Sequence, residues 1–129
     1  MPDGAFTFTK LIVGDLERTS AFYRDVCGLA EGRRIDATVD GRAITEIILA
    51  GEPPGPATLI LFAFHDTPAP AAGETILGFY TSDIEAFLER VRRAGGTITQ
   101  ETQSLPDLGL KFAFAKDVEG HLIEALEQL

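Results

Sequence analysis

Asp117-Val118-Glu119-Gly120-His121-Leu122-Ile123-Glu124, near the end of the chain, is the stretch from which the fold is read. It reads as a tight turn followed by a strand, with Gly120 supplying the backbone freedom of the turn. Side chains alternate along a strand, so Leu122, Glu124 and Leu126 share one face. Glu124 is then a carboxylate set between two leucines on a face expected to be inside. A charge there needs a partner, a metal ion or a proton.

Working outward, the preceding segments give a strand over Leu110–Ala115, a loop over Thr102–Gly109 and a strand over Thr97–Glu101. Before them, Gly95-Gly96 stops a helix over Ile84–Ala94, whose apolar stripe is Ile84, Phe87, Leu88 and Val91. Asp83 is placed to cap that helix, and Thr75–Thr81 reads as the strand that enters it. The first half of the chain has the same plan. Phe6–Val13 is a strand, Gly14 breaks it, and Asp15 caps a helix over Leu16–Val26 that Gly28 ends. Arg33–Val39 and Arg42–Leu49 form a hairpin about Asp40-Gly41, Gly51–Pro56 is a loop, and Thr58–Phe64 is a short apolar strand. Asp66–Gly73 reads as a linker.

The halves can be registered on each other. Gly14-Asp15-Leu16 matches Ser82-Asp83-Ile84, and Leu59-Ile60-Leu61 is set against Leu122-Ile123-Glu124. Each half is a βαβββ module, the first about residues 5–66 and the second about 74–129, within a single domain spanning 1–129. The fold class expected is α+β, with two mixed sheets curved round a shared cup. One helix cannot cover both faces of a four-stranded sheet, so the other face must meet the partner module or a ligand.

Composition narrows the function. The chain has 129 residues, 45% apolar and 24% charged, as an ordinary globular protein does. Its net charge of −9 argues against a nucleic-acid partner, whose phosphates require Lys and Arg. That charge suits a cationic or neutral ligand, or simply a solvated surface. The single Cys27 excludes an internal disulfide and any Cys-rich metal site, and reads as a buried structural thiol. The first residues lack a signal pattern, and the longest apolar run, Leu59–Phe64, is too short to span a bilayer. No membrane partner and a cytoplasmic location are expected. Ser-His-Asp, phosphate-loop and CxxC patterns are absent from the sequence.

Two segments resemble the vicinal oxygen chelate superfamily, which includes glyoxalase I, bleomycin-resistance proteins, extradiol dioxygenases and methylmalonyl-CoA epimerase. One is Val13-Gly14-Asp15-Leu16-Glu17-Arg18 with Ala21-Phe22-Tyr23-Arg24-Asp25-Val26-Cys27-Gly28-Leu29; the other runs from Asp83-Ile84-Glu85 through Ala94-Gly95-Gly96 to Asp117–Glu124. The resemblance implies metal ligands on the first and fourth strands of each module. Carried over by position, Phe8 stands where glyoxalase I has His, Leu61 where it has Glu, and Leu77 where His is expected; Glu124 alone keeps its acid. A divalent metal needs several N or O ligands converging on one point. No metal and no cofactor are therefore expected.

The remaining candidates are weighed by face. His65 shares parity with Leu61 and Ala63, so it is either a general acid or base at the mouth of the cup or a solvated strand-end residue. His121 reads as a surface or turn histidine. Lys10 is a counter-ion for Glu124 or for an anionic ligand, or a solvated lysine. Phe8, Leu61, Leu77 and Phe79 are expected to line the cup with Glu124; the face taken by Phe112 and Phe114 stays open. Ser104–Gly109 is a lid loop or a plain connection. Three functions follow in order: a metal-free binder of a hydrophobic or cationic small molecule, a metal-free enzyme using Glu124 as acid or base, and a metal lyase or dioxygenase with displaced ligands such as His65. A homodimer is expected, because each module exposes a sheet face that one chain need not close.

Overall fold

Each module opens with a short edge strand that turns into a capped helix. In the computed structural model, which describes residues 3–4, 6–51, 57–69, 71–73 and 75–129, β1 (Thr9–Ile12) leads to α1 (Leu16–Cys27). The Asp15 side chain accepts a hydrogen bond from Arg18 N at 3.0 Å, and Gly28 ends the helix in the left-handed conformation at φ 69°. The strands β2 (Ala30–Val39), β3 (Arg42–Ala50) and β4 (Ala57–Phe64) complete the first module. The second repeats it: β5 (Ile76–Tyr80), α2 (Ile84–Arg93), β6 (Thr97–Leu105), β7 (Leu110–Lys116) and β8 (Leu122–Gln128). Asp83 caps α2 by accepting from Ala86 N at 3.0 Å.

Two four-stranded sheets result, in the orders β1-β4-β3-β2 and β5-β8-β7-β6. In each, the first strand pairs parallel with the fourth and the others pair antiparallel. The chain is thus α+β with two βαβββ modules. Several strand limits differ from expectation: β1 begins at Thr9 rather than Phe6, and β2 at Ala30 rather than Arg33. The strand β6 runs on to Leu105, through bulges that let it follow β7, and Pro106–Leu108 is a single 3-10 turn, so of Ser104–Gly109 the first two residues belong to the strand and the rest is a short connection. The loop expected at Gly51–Pro56 lies, apart from Gly51, outside the described residues.

Both helices and the helix-facing sides of both sheets share one hydrophobic core, including Leu11, Val13, Leu59 and Leu61 from the first sheet and Ala113, Ala115, Ile123 and Ala125 from the second. Gly96 sits at a close approach of backbone and core side chains. A Cβ there would lie 2.6 Å from Lys116 O, 2.7 Å from a Phe22 ring carbon and 2.8 Å from Val91 Cγ1. Substitution Gly96→Ala should therefore overpack this junction and cost about 1–3 kcal/mol. Urea unfolding measures it; an unchanged midpoint would mean that α2 and β7 can separate freely at this place.

Candidate functional site

Alternation divides each sheet into a core face and an open face. In the first sheet the core takes Leu11, Ile47, Leu49, Leu59 and Leu61. The open face therefore carries Lys10, Ile44, Glu46, Ile60 and Phe62. In the second, Ile123 and Ala125 face the core with Ala113 and Ala115, so Glu124 shares its open face with Leu122, Leu126, Phe112 and Phe114. This settles the two phenylalanines: their rings stack edge-to-face at 5.9 Å, and Phe114 is the β7 partner of Glu124. On its other side Glu124 is paired with Gly78, where an added Cβ would meet nothing within 4 Å. The carboxylate thus has open space beside it, is half-buried, and among the described residues receives no hydrogen bond or ion pair.

Three expected cup residues lie elsewhere. Leu61 is fully buried on the core face, and Leu77 and Phe79 pack against the core. Phe79 lies 6.3 Å from the Tyr23 ring and 6.2 Å from Phe87, measured between centroids. The module register explains the error. Val13 N bonds to Phe62 O at 2.9 Å and Thr81 N to Leu126 O at 2.8 Å, each two residues before a helix cap. Phe62 therefore corresponds to Leu126, and Ile60, not Leu61, to Glu124. Counting back equally from Asp15 and Asp83, Phe8 corresponds to Ile76, not Leu77. Phe8 itself stands just before β1, 47% exposed.

His65 also points away from the open face. It is exposed, and its Nε2 lies 2.7 Å from Thr45 Oγ1, which donates to Asp36 at 2.5 Å. Lys10 does not reach Glu124. Its ammonium lies 3.0 Å from Glu46 Oε2 and 4.8 Å from the centre of the Phe62 ring. Glu46 is the residue missed from sequence; alternation between Ile44 and Ile48 was its available signal.

His121 is buried rather than a surface residue. Its Nδ1 lies 2.8 Å from Asp117 Oδ2, to which the Tyr23 hydroxyl donates at 2.7 Å. Asp117 Oδ1 accepts from Glu119 N at 2.8 Å and His121 N at 2.9 Å. Burial opposes ionisation of Asp117, but the bonds from His121, Tyr23 and the two amides together hold its carboxyl below the usual range. The Asp117 bond raises the pKa of His121 against the effect of burial, aided by the charges of Asp117 and Glu119 and the Ile12 carbonyl. Glu119 reaches across to the first module, accepting from Gly14 N at 2.9 Å, Asp15 N at 2.7 Å and Thr19 Oγ1 at 3.3 Å. Burial pushes the Cys27 thiol up to about 12 despite the nearby Arg90, which leaves it a structural group.

The four positions where the family resemblance places metal ligands thus hold Phe8, Ile60, Ile76 and Glu124. One carboxylate among three hydrocarbon side chains does not fit a divalent metal. Among the described residues no three His, Cys, Asp or Glu side chains converge on a point. No helix among them is long and apolar enough to cross a membrane.

The chain belongs to the Glyoxalase/Bleomycin resistance protein/Dioxygenase superfamily, whose sequence profile matches residues 5–125. It is 31% identical over 130 residues to a lactoylglutathione lyase of Haemophilus influenzae, covering 92% of this chain and 89% of that one. A glyoxalase family protein from Bacillus cereus has the same fold, with a TM-score of 0.80 at 19% identity over 96% of this chain and 93% of that one. The glyoxalase I of Leishmania major superposes with a TM-score of 0.77 at 23% identity, over 97% and 87% of the two chains.

The Asp117 cluster makes a stability prediction. His121, with its pKa raised on folding, contributes stability that is complete below its unfolded value of about 6.5 and is lost as pH rises through the folded value. Asp117, lowered, contributes stability that is present above the ordinary carboxylate value and is lost as pH falls through its folded value. Urea midpoints should therefore decline from neutral to alkaline pH, and His121→Asn should flatten that decline. Tyr23→Phe should cost about 1.5–3 kcal/mol, as loss of a bond to a charged acceptor does. A flat wild-type profile over this range would exclude His121 as the titrating group.

Proposed function

We propose that this protein binds a hydrophobic or cationic small molecule without a metal ion, against the open sheet faces, with Glu124 as a polar anchor. The donor set carries this reading: at the four places where metal-dependent relatives of this fold are expected to hold ligands, three side chains are Phe8, Ile60 and Ile76. Phe112 and Phe114 supply an aromatic wall beside Glu124, and Gly78 leaves room for a ligand group to reach its carboxylate. Phe8, Ile76 and Tyr80 are 47%, 54% and 71% exposed on the open faces. Such surface favours closure of the cup by a second copy of the chain, giving a homodimer with the ligand enclosed.

A second reading is favoured by the relatives named lactoylglutathione lyase. In it the protein is an enzyme of the lyase or isomerase type, and Glu124 trades a proton with the substrate. His65 has no part in either reading, because it lies off the open face.

Elemental analysis after dialysis should find no stoichiometric Zn, Ni, Fe or Mn; one tightly held metal per chain would overturn the metal-free reading. Sedimentation at micromolar concentration should give a dimer, and a clean monomer would remove the composite cup. Native mass spectrometry of freshly purified protein identifies a co-purifying ligand. With that ligand, Glu124→Gln should weaken binding if the carboxylate is an anchor. Normal binding with lost turnover would instead establish the enzyme. If Glu124→Leu leaves affinity and turnover intact while raising Tm, Glu124 belongs to neither site.

A further inference from the structure

The open face of the first sheet holds an ammonium group in a site built for one, and that ammonium is the protein's own. Glu46 stands on β3, an inner strand, with its side chain only 12% exposed. Its Oε2 is shielded from solvent and, among the described residues, accepts no hydrogen bond. What compensates it is the Lys10 ammonium at 3.0 Å, lying off the line of a hydrogen bond. The same ammonium sits 4.8 Å from the Phe62 ring centre and 5.9 Å from that of Phe8. A carboxylate beside two aromatic rings is the chemistry that recognises an organic cation.

The two partners are held unequally. Glu46 is fixed in the middle of a sheet, with its Oε2 shielded from water. Lys10 lies on the edge strand β1, its side chain 35% exposed on a flexible stem, and its ammonium can return to solvent. Lys10 cannot leave empty space behind, because an uncompensated buried carboxylate is costly. It can leave only in exchange for another cation. The Arg42–Asp66 pair over Phe64 is the informative contrast: its guanidinium lies 3.6 Å from the ring centre, yet Asp66 is exposed and water can satisfy it. Of these two pairs, it is the Glu46 pair that creates a demand a ligand can meet.

We propose that Glu46, Phe62 and Phe8 form a subsite for the primary ammonium group of a ligand, and that Lys10 occupies it as an internal stand-in which the ligand displaces. A primary ammonium is specified because the resident cation is one: the Lys10 ammonium lies 3.0 Å from Oε2, a close approach by an N–H-bearing head group that a quaternary ammonium cannot make. The ligand's hydrocarbon part would lie along the open face, over Ile12 and Ile48. This assignment rests on the reading of the open faces as ligand-bearing, and adds to it the ligand's head group.

The test uses 2-phenylethylammonium as probe, with neutral 2-phenylethanol and anionic phenylacetate as controls, followed by amide chemical shifts in the intact protein. Lys10→Met keeps the stem and removes the resident cation, so it should tighten the ammonium probe at least tenfold, with shifts at Ile60 and Phe62. Adding Glu46→Gln to Lys10→Met should abolish that gain, and neither control should share it. The proposal is overturned if Lys10→Met leaves the ammonium probe unchanged, or tightens all three probes alike. It is overturned equally if wild-type protein binds phenylacetate and Lys10→Met loses it, for Lys10 would then be an anion anchor. If the ammonium probe shifts only Phe114 and Glu124 and responds only to Glu124→Gln, the subsite fails while the Glu124 reading stands.

Discussion

The arrangement of this chain depends on one turn of the second module gripping the first helix. Glu119 places its carboxylate on the amides of Gly14 and Asp15 and on Thr19, where the exposed N–H groups of α1 favour negative charge. Two residues earlier, Asp117 takes the Tyr23 hydroxyl from the same helix. Gly120, at φ 92°, lets the backbone fold back so that His121 completes the cluster. These bonds join residues about a hundred positions apart, and they do so on the helix side. Arg90 adds a bond from α2 to the Val26 carbonyl at the other end of α1. The modules are thereby tied through their helices, and their open faces are left for something else.

Each open face then carries one carboxylate among apolar neighbours, and the two are handled differently. Glu46 is deep and is balanced by Lys10 from the adjoining edge of the same sheet. Glu124 is half-buried, borders the side-chain-free Gly78, and has no partner among the described residues. A group in the first situation holds its place by a local ion pair. One in the second is open to space on the side of Gly78. Neither arrangement resembles a metal site, which needs several donors aimed at one point.

Family membership fixes the scaffold, whereas function resides in the side chains placed on it. This chain keeps the module plan over nearly its whole length and resembles lactoylglutathione lyases in sequence. The residues at the expected ligand positions are nevertheless mostly hydrocarbon. That contrast is why the proposed function rests on the open faces rather than on the fold.

Much of the architecture was legible because it rests on local chemistry. The aspartates at 15 and 83 announce two helix starts, Gly28 and Gly95-Gly96 two stops, and the repeated order of strands gives two modules. The facing of Glu124 between Leu122 and Leu126 also follows directly from alternation. The register of β4 and β5 was not legible, since Leu59–Phe64 and Ile76–Tyr80 present apolar residues on both faces and period two carries no signal there. Only the parallel pairing of Lys10 with Ile60 and of Gly78 with Glu124 decides which residues face outward. The Lys10–Glu46 pair and the His121 cluster were equally beyond sequence, because each joins segments whose approach is set by the packed sheets and helices. Local propensity and periodicity thus determined the elements and their order. Tertiary packing alone determined which charge meets which, because that depends on distances the chain acquires only when folded.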